Sequence, residues 1–144
     1  MDKSKLQFCH RFRVRYAEID AQGIVFNANY LVYFDTALAE FYRMLGMTFA
    51  TPNDTKPDYD YHTVRAVVEF HAPVHYDDVI DVYVAVARIG NSSLTFNLYI
   101  YRADETDLLT SGEIVWVYAN QSTNKSAPLP DTIRNKLAPY LLPE

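Results

Sequence analysis

From Ala28 to Leu45 the chain is apolar almost all round, with Asp35, Thr36, Glu40 and Arg43 as its few polar points. This stretch predicts a helix of about 17 residues, roughly 25 Å long at 1.5 Å per residue. Asn27 or Asn29 can serve as its N-cap, and Gly46 sits where a C′ glycine belongs. A helix apolar on so many sides has to be buried on several of them. Four strand-like runs follow, at 62–71, 79–89, 93–103 and 108–119, with no helix between them. Alternation is plain in Ile80, Val82, Val84 and Val86, and again in Leu94, Phe96, Leu98 and Ile100. Gly90-Asn91 and the run 104–107 are turn signals, and strands joined by short turns pair antiparallel.

One more strand precedes the helix. Over 7–16, Phe8, His10, Phe12, Val14 and Tyr16 share one face while Arg11, Arg13 and Arg15 share the other. The tail at 129–141 predicts one short surface helix. A length of 144 residues is about one domain, so 1–144 is read as a single α+β unit of order β-α-β-β-β-β. One long central helix is then wrapped by a curved five-stranded antiparallel sheet. The hotdog fold and the cystatin-like fold both satisfy that order, and the pattern alone does not separate them. The segment 51–62, rich in Pro and Asp and without periodicity, reads as a long loop.

Several functions are excluded early. The four glycines, Gly23, Gly46, Gly90 and Gly112, are too scattered to build a G-x-G-x-x-G turn, a Walker loop or a G-x-S-x-G elbow. A formal charge of −5 repels phosphate backbones, so nucleic acid is not an expected partner. Cys9 is the one cysteine and has no disulfide partner in the chain. The first 16 residues lack the apolar stretch of a signal peptide, and no run of 18 apolar residues predicts a membrane span. A soluble, cytoplasmic protein is expected. His71 and His75 are four apart, but Pro73 between them forbids the helix that would align them on a metal. No metal and no cofactor are expected. Arg11, Arg13 and Arg15 read as the wet face of the first strand, and Ser92-Ser93 as strand entry.

The chemistry gathers in 16–30. Glu18 and Asp20 lie in a short turn, and a helix begins seven to nine residues after Asp20. A helix N-terminus presents unpaired N–H groups and the positive end of the dipole, which stabilise a carbonyl oxygen as charge develops on it. A nearby carboxylate supplies a nucleophile or a general base. Taken alone, the same residues are equally those of a turn held by local hydrogen bonds.

The segment Tyr16-x-Glu18-x-Asp20-x-x-Gly23-Ile24-Val25-Phe26-x-x-Asn29-Tyr30 resembles the signature of hotdog-fold acyl-CoA thioesterases. The nearest group is the 4-hydroxybenzoyl-CoA thioesterase-like family, which includes the thioesterases of the Tol-Pal gene cluster. Similar stretches continue through Glu69-Phe70-x-Ala72-Pro73-x-x-Tyr76-x-Asp78, Ser92–Phe96, Gly112-Glu113 and Pro128-Leu129-Pro130. The resemblance implies the hotdog fold and hydrolysis of an acyl-CoA, or acyl-carrier-protein, thioester. It puts the catalytic carboxylate on Asp20, as nucleophile or general base. The thioester oxygen would face a backbone N–H near Asn27, and Gly23, Ile24, Val25, Phe26 and Tyr30 would bind substrate. Asn27 stands where some relatives carry His or Tyr; it hydrogen-bonds but is no base near neutral pH. Glu18 is a secondary candidate, its other reading being a strand-end charge facing water.

Two competing functions are weighed against this. A hydratase or dehydratase of acyl thioesters needs a His-x-Phe-Pro-Gly or Asp-x-x-x-x-His element, and neither is present. A non-catalytic binder of an apolar ligand has no use for a carboxylate beside the acyl carbonyl. The resemblance also implies a homodimer that pairs further into a homotetramer. The row Tyr83, Ala85, Tyr99 and Tyr101 on the alternate register of the middle strands is the contact surface this suggests.

Overall fold

The computed structural model of the protein describes residues 1–47 and 56–143. In chain order it runs through β1 (Phe8–Arg13), α1 (Asn29–Met44), β2 (Tyr59–Phe70), β3 (Val79–Ile89), β4 (Ser93–Arg102), β5 (Leu108–Asn120) and α2 (Asp131–Leu137). Short 3-10 turns stand at Lys3–Lys5, Tyr16–Glu18 and Ala138–Tyr140. The strands form one curved sheet in the order β1-β3-β4-β5-β2, antiparallel at every junction. Register shifts at Thr63/Arg65, Val86/Arg88 and Ile100/Tyr101 add the local twist that bends such a sheet.

The alternating residues of the two middle strands do what their spacing predicts. Ile80, Val82, Val84 and Val86 of β3 and Leu94, Phe96, Leu98 and Ile100 of β4 are all buried on one face. α1 lies against that face through Tyr30, Tyr33, Phe34, Ala37, Leu38, Phe41 and Tyr42, a stripe at i, i+3, i+4 spacing. Close approach to β5 depends on Gly112. A Cβ there would overlap the Phe34 ring and stand 2.9 Å from the Val67 carbonyl oxygen, so only glycine admits the aromatic ring. The far end of α1 closes as a Schellman motif, with Gly46 N–H donating to the Arg43 carbonyl at 3.0 Å and Met47 N–H to that of Tyr42 at 2.9 Å. Lys136 Nζ of α2 donates to the Leu45 carbonyl at 3.0 Å. α2 itself is fastened by Arg134, which donates to the carbonyls of Gly90, Asn91 and Leu129.

Several sequence expectations are corrected. α1 is covered on one side within this chain, not on several: Leu31, Val32 and Met44 remain exposed, Val32 at 54%. The first strand stops at Arg13: Val14 N–H still donates to the Asp78 carbonyl in register, but Asp78 N–H turns to the His75 carbonyl and Tyr16–Glu18 coil into a 3-10 turn. The expected loop at 51–62 loses its last residues to β2, whose Tyr59 already pairs with Asn120; its residues 51–55 lie outside the described residues. On the outer face, Ala85 and Tyr101 are buried, at 3% and 2%, while Tyr83 and Tyr99 are half-buried. The N-terminal turn bends over part of this row, with Lys3 Nζ 4.9 Å above the Tyr101 ring. The sheet has two unequal edges: β1 spans six residues and β2 spans twelve. Beyond the end of β1, Leu142 N–H continues along β3 by donating to the Val86 carbonyl.

Candidate active site

The segment between β1 and α1 is short, polar and heavily cross-tied. Its first tie is the 3-10 turn at Tyr16–Glu18. Glu18 Oε1 accepts from Arg15 N–H at 2.7 Å and Oε2 from Arg15 Nη2 at 2.9 Å. Glu18 is only 9% exposed, so the reading of a strand-end charge facing water is corrected. Burial raises its carboxyl, but the two Arg15 bonds and the nearby Tyr33 hydroxyl outweigh that and hold it below the ordinary range. The Tyr33 hydroxyl is buried with no hydrogen-bond partner among the described residues, and burial together with the Glu18 charge raises it.

Asp20 follows on a miniature hairpin. Its N–H donates to the Ile24 carbonyl at 2.8 Å, and Gly23 N–H donates back to the Asp20 carbonyl at 3.0 Å. Gly23 has φ +78°, the left-handed conformation that this tight return needs. Asp20 Oδ1 accepts from Gln22 N–H at 2.8 Å, which fixes the carboxylate; Oδ2 accepts no bond among the described residues. The hairpin is stitched to 74–76: Val25 N–H donates to the Val74 carbonyl, and Tyr76 N–H to that of Gly23. Tyr30, reaching up from α1, feels the Asp20 charge. Burial is the larger cause of its raised hydroxyl, and the Asp20 carboxylate adds to it.

The start of α1 differs from the expectation of an asparagine cap. Ala28 occupies the N-cap with φ −66° and ψ −23°, and no side chain caps the helix. Asn27 contributes its carbonyl, which accepts from Tyr30 N–H at 3.4 Å. Asn29 is the first helical residue, and its Nδ2 turns back to the Glu18 carbonyl at 2.8 Å. The N–H groups of Asn27 and Ala28 donate to no acceptor among the described residues, leaving two donors at the positive end of a 16-residue helix. Of the predicted substrate residues, Val25 and Tyr30 are buried, Gly23 and Ile24 half-buried, and Phe26 exposed.

Other sequence candidates are engaged elsewhere. Arg11, Arg13 and Arg15 are exposed, as the wet face of the first strand should be, and each also makes an ion pair there: Arg11 with the buried Asp81 at 2.7 Å, Arg13 with Asp77 and Arg15 with Glu18. His71 Nε2 lies 2.8 Å from Ser111 Oγ, and His75 N–H donates to Asp78 Oδ2. The Cys9 thiol is raised, by burial first and by Asp81 second. Three residues were not singled out from the sequence: Asp81, Tyr33 and Asn29 as a donor to Glu18. A cavity of about 320 Å3, lined by Asp35, Ala39, Asp60, Tyr61, Thr63 and Trp116, opens along the flank of α1. Burial raises the Asp35 carboxyl beside it.

The arrangement can do one kind of chemistry well. A fixed carboxylate with one oxygen open stands on a turn that is hydrogen-bonded to the start of a helix with free N–H donors. These are the parts of an acyl-transfer centre.

Comparison with known proteins points the same way. Residues 14–137 match the model of the thioesterase-like superfamily. An acyl-CoA thioester hydrolase, YbgC of Escherichia coli O157:H7, is 29% identical over 122 residues, covering 84% of this chain and 88% of the relative. The structure of the PA5185 protein of Pseudomonas aeruginosa PAO1 superposes with a TM-score of 0.86 at 22% identity, covering 97% of this chain and 95% of that one. The BH1999 gentisyl-coenzyme A thioesterase superposes with a TM-score of 0.78 at 25% identity, covering 90% and 99%.

Proposed function

Because the chain belongs to the thioesterase-like superfamily, we propose that it hydrolyses an acyl-CoA or acyl-carrier-protein thioester to the free acid and the thiol. The chain is a thioester-hydrolysing enzyme, and Asp20 is its catalytic carboxylate. The observation that carries this reading is the open Oδ2 of Asp20 on a turn bonded to the uncapped start of α1. As general base, Asp20 takes a proton from water while the water oxygen bonds to the thioester carbon, and the C–S bond breaks to release the thiolate. As nucleophile, Asp20 bonds to that carbon itself as the C–S bond breaks and the thiolate leaves, and water then cleaves the resulting anhydride to the free acid and the restored carboxylate. In either route the carbonyl oxygen gains charge, and the Asn27 N–H, at the positive end of α1, stabilises it. Gly23, Ile24, Val25, Phe26 and Tyr30 line the thioester. Glu18 shapes the site from below rather than reacting, since both its oxygens are engaged by Arg15.

The reading uses neither a metal nor an organic cofactor. It is tested with a panel of benzoyl-type, short aliphatic and long fatty acyl-CoA substrates, thiol release being followed with a colour reagent. Thiol release from at least one class, unchanged in excess EDTA, is expected. No release above the buffer rate on any class would overturn the reading. Loss on chelation that returns with zinc would show that a metal carries the chemistry.

The whole of 1–144 acts as one cytoplasmic domain, with no nucleic-acid partner and no membrane span. Among the described residues no helix is long and apolar enough to cross a membrane. The unit works as a homodimer or homotetramer. Support comes from the exposed flank of α1 at Leu31 and Val32 and from the exposed Tyr59, Val64 and Phe70 on β2. A second copy covers α1 on these further sides, supplying the burial that the helix sequence calls for. Light scattering should report a mass of at least two chains at micromolar concentration; a monomer would refute the pairing.

A further inference from the structure

We propose that Asn29 is the positioning residue that holds the start of α1 in register with the Asp20 turn; this rests on the reading of Asp20 given above. Helices usually begin with a side chain that accepts from their first N–H groups. Here the N-cap is Ala28, and the asparagine stands one residue inside the helix, where its side chain donates instead. Its Nδ2 spans eleven residues of sequence to reach the Glu18 carbonyl at 2.8 Å. The same oxygen accepts from Phe26 N–H at 2.9 Å. Two donors from the helix side therefore converge on one acceptor, two residues before Asp20.

The other bonds of this segment have different reach. Asp20 N–H to Ile24 and Gly23 N–H to Asp20 close the hairpin on itself, and Val25 N–H to Val74 ties it to a neighbouring segment. The Asn29 bond is made by a side chain of α1 itself. It fixes the N–H groups of Asn27 and Ala28 relative to the carboxylate. The Glu18 carbonyl is in turn held in place, because the Glu18 side chain is locked to Arg15 and buried. Asparagine suits this role because it donates, and its reach is one methylene shorter than that of glutamine. Aspartate has the same shape but no donor near neutral pH.

A displacement of reacting groups by about 1 Å costs on the order of 100-fold in rate. Asn29→Ala is expected to lower kcat at least about ten-fold with KM within about two-fold, because the loss falls on alignment rather than on substrate contact. Asn29→Asp should lower kcat at least as far. A purely structural role would lower Tm and leave kcat of the folded variants at the parent value.

Both variants are assayed below their Tm on the acyl-CoA substrate that the parent turns over, alongside Asp20→Asn. Unimpaired kcat in folded Asn29 variants with an inactive Asp20→Asn would overturn the role of Asn29 alone. An active Asp20→Asn would overturn the reading beneath it. Failure of both Asn29 variants to fold would make the residue a determinant of the fold and overturn the proposal equally.

Discussion

Folded Asp20→Asn protein is expected to turn over its acyl-CoA substrate at least about 100-fold more slowly than the parent, roughly 2.7 kcal/mol of barrier. Asparagine preserves the size of the side chain, and its oxygen still accepts from Gln22 N–H, so the hairpin keeps its shape. Only the charge is lost. Loss of a general base costs about 10²–10⁴-fold, and loss of a nucleophile costs more. Near-normal turnover would sink the assignment. Glu18→Gln is the matching control, and its effect should fall on stability. The Glu18 carboxyl is held below its ordinary value in the fold, burial opposing and the Arg15 bonds prevailing. Its contribution is therefore complete above the ordinary value of about 4.5 and is lost as pH falls through the lower folded value. The Tm gap between parent and Glu18→Gln should be widest near neutral pH and close on acidification, while kcat changes far less than for Asp20→Asn. A dead Glu18→Gln beside an active Asp20→Asn would reverse the two roles.

The second large effect lies under the sheet. Phe34 is fully buried against Gly112, and Phe34→Ala should cost about 3–5 kcal/mol of unfolding free energy. Gly112→Ala puts a methyl group where the ring and the Val67 carbonyl already are, and overpacking of this kind costs about 1–3 kcal/mol. The two losses should not add. Removing the ring frees the space that the new methyl group needs, so the double variant should be more stable than the sum of the singles predicts. Denaturant unfolding of the four proteins measures this coupling. Strict additivity would mean that the ring and the glycine do not meet as described.

The strands and α1 were legible because their periods are long and clean. Val79–Ile89 holds to the residue, and Ser93–Arg102 and Leu108–Asn120 to within one at their C-terminal ends. The misreadings have local physical causes. Alternation from Phe8 to Tyr16 carries on past the end of the pairing, because Asp78 N–H, opposite Val14, turns to the His75 carbonyl and Tyr16–Glu18 coil into a 3-10 turn. Pro and Asp in 51–62 suggest a loop throughout, yet 59–62 pairs with β5, a long-range contact that composition does not report. At the site, the D-x-x-G spacing announces the Asp20 turn. The burial of Glu18 is not announced, because it depends on Arg15 folding back over three residues. The Asn29 tie is equally silent. An asparagine near a helix start reads as a cap, and only the backbone of Ala28 shows that the position is already taken.

The unequal edges of the sheet bear on how copies of this chain can accumulate. A sheet grows into a fibre only if each added copy offers a fresh edge as receptive as the one it used. Here the long edge, Tyr59–Phe70, is the receptive one. The opposite edge is half as long and ends in a turn, features that discourage strand addition. Two copies joined long edge to long edge would be related by a two-fold axis and would leave only the short edges outward. Such an isologous union would be closed by its own symmetry, so the long edge would be consumed in a single step rather than offered to a growing polymer.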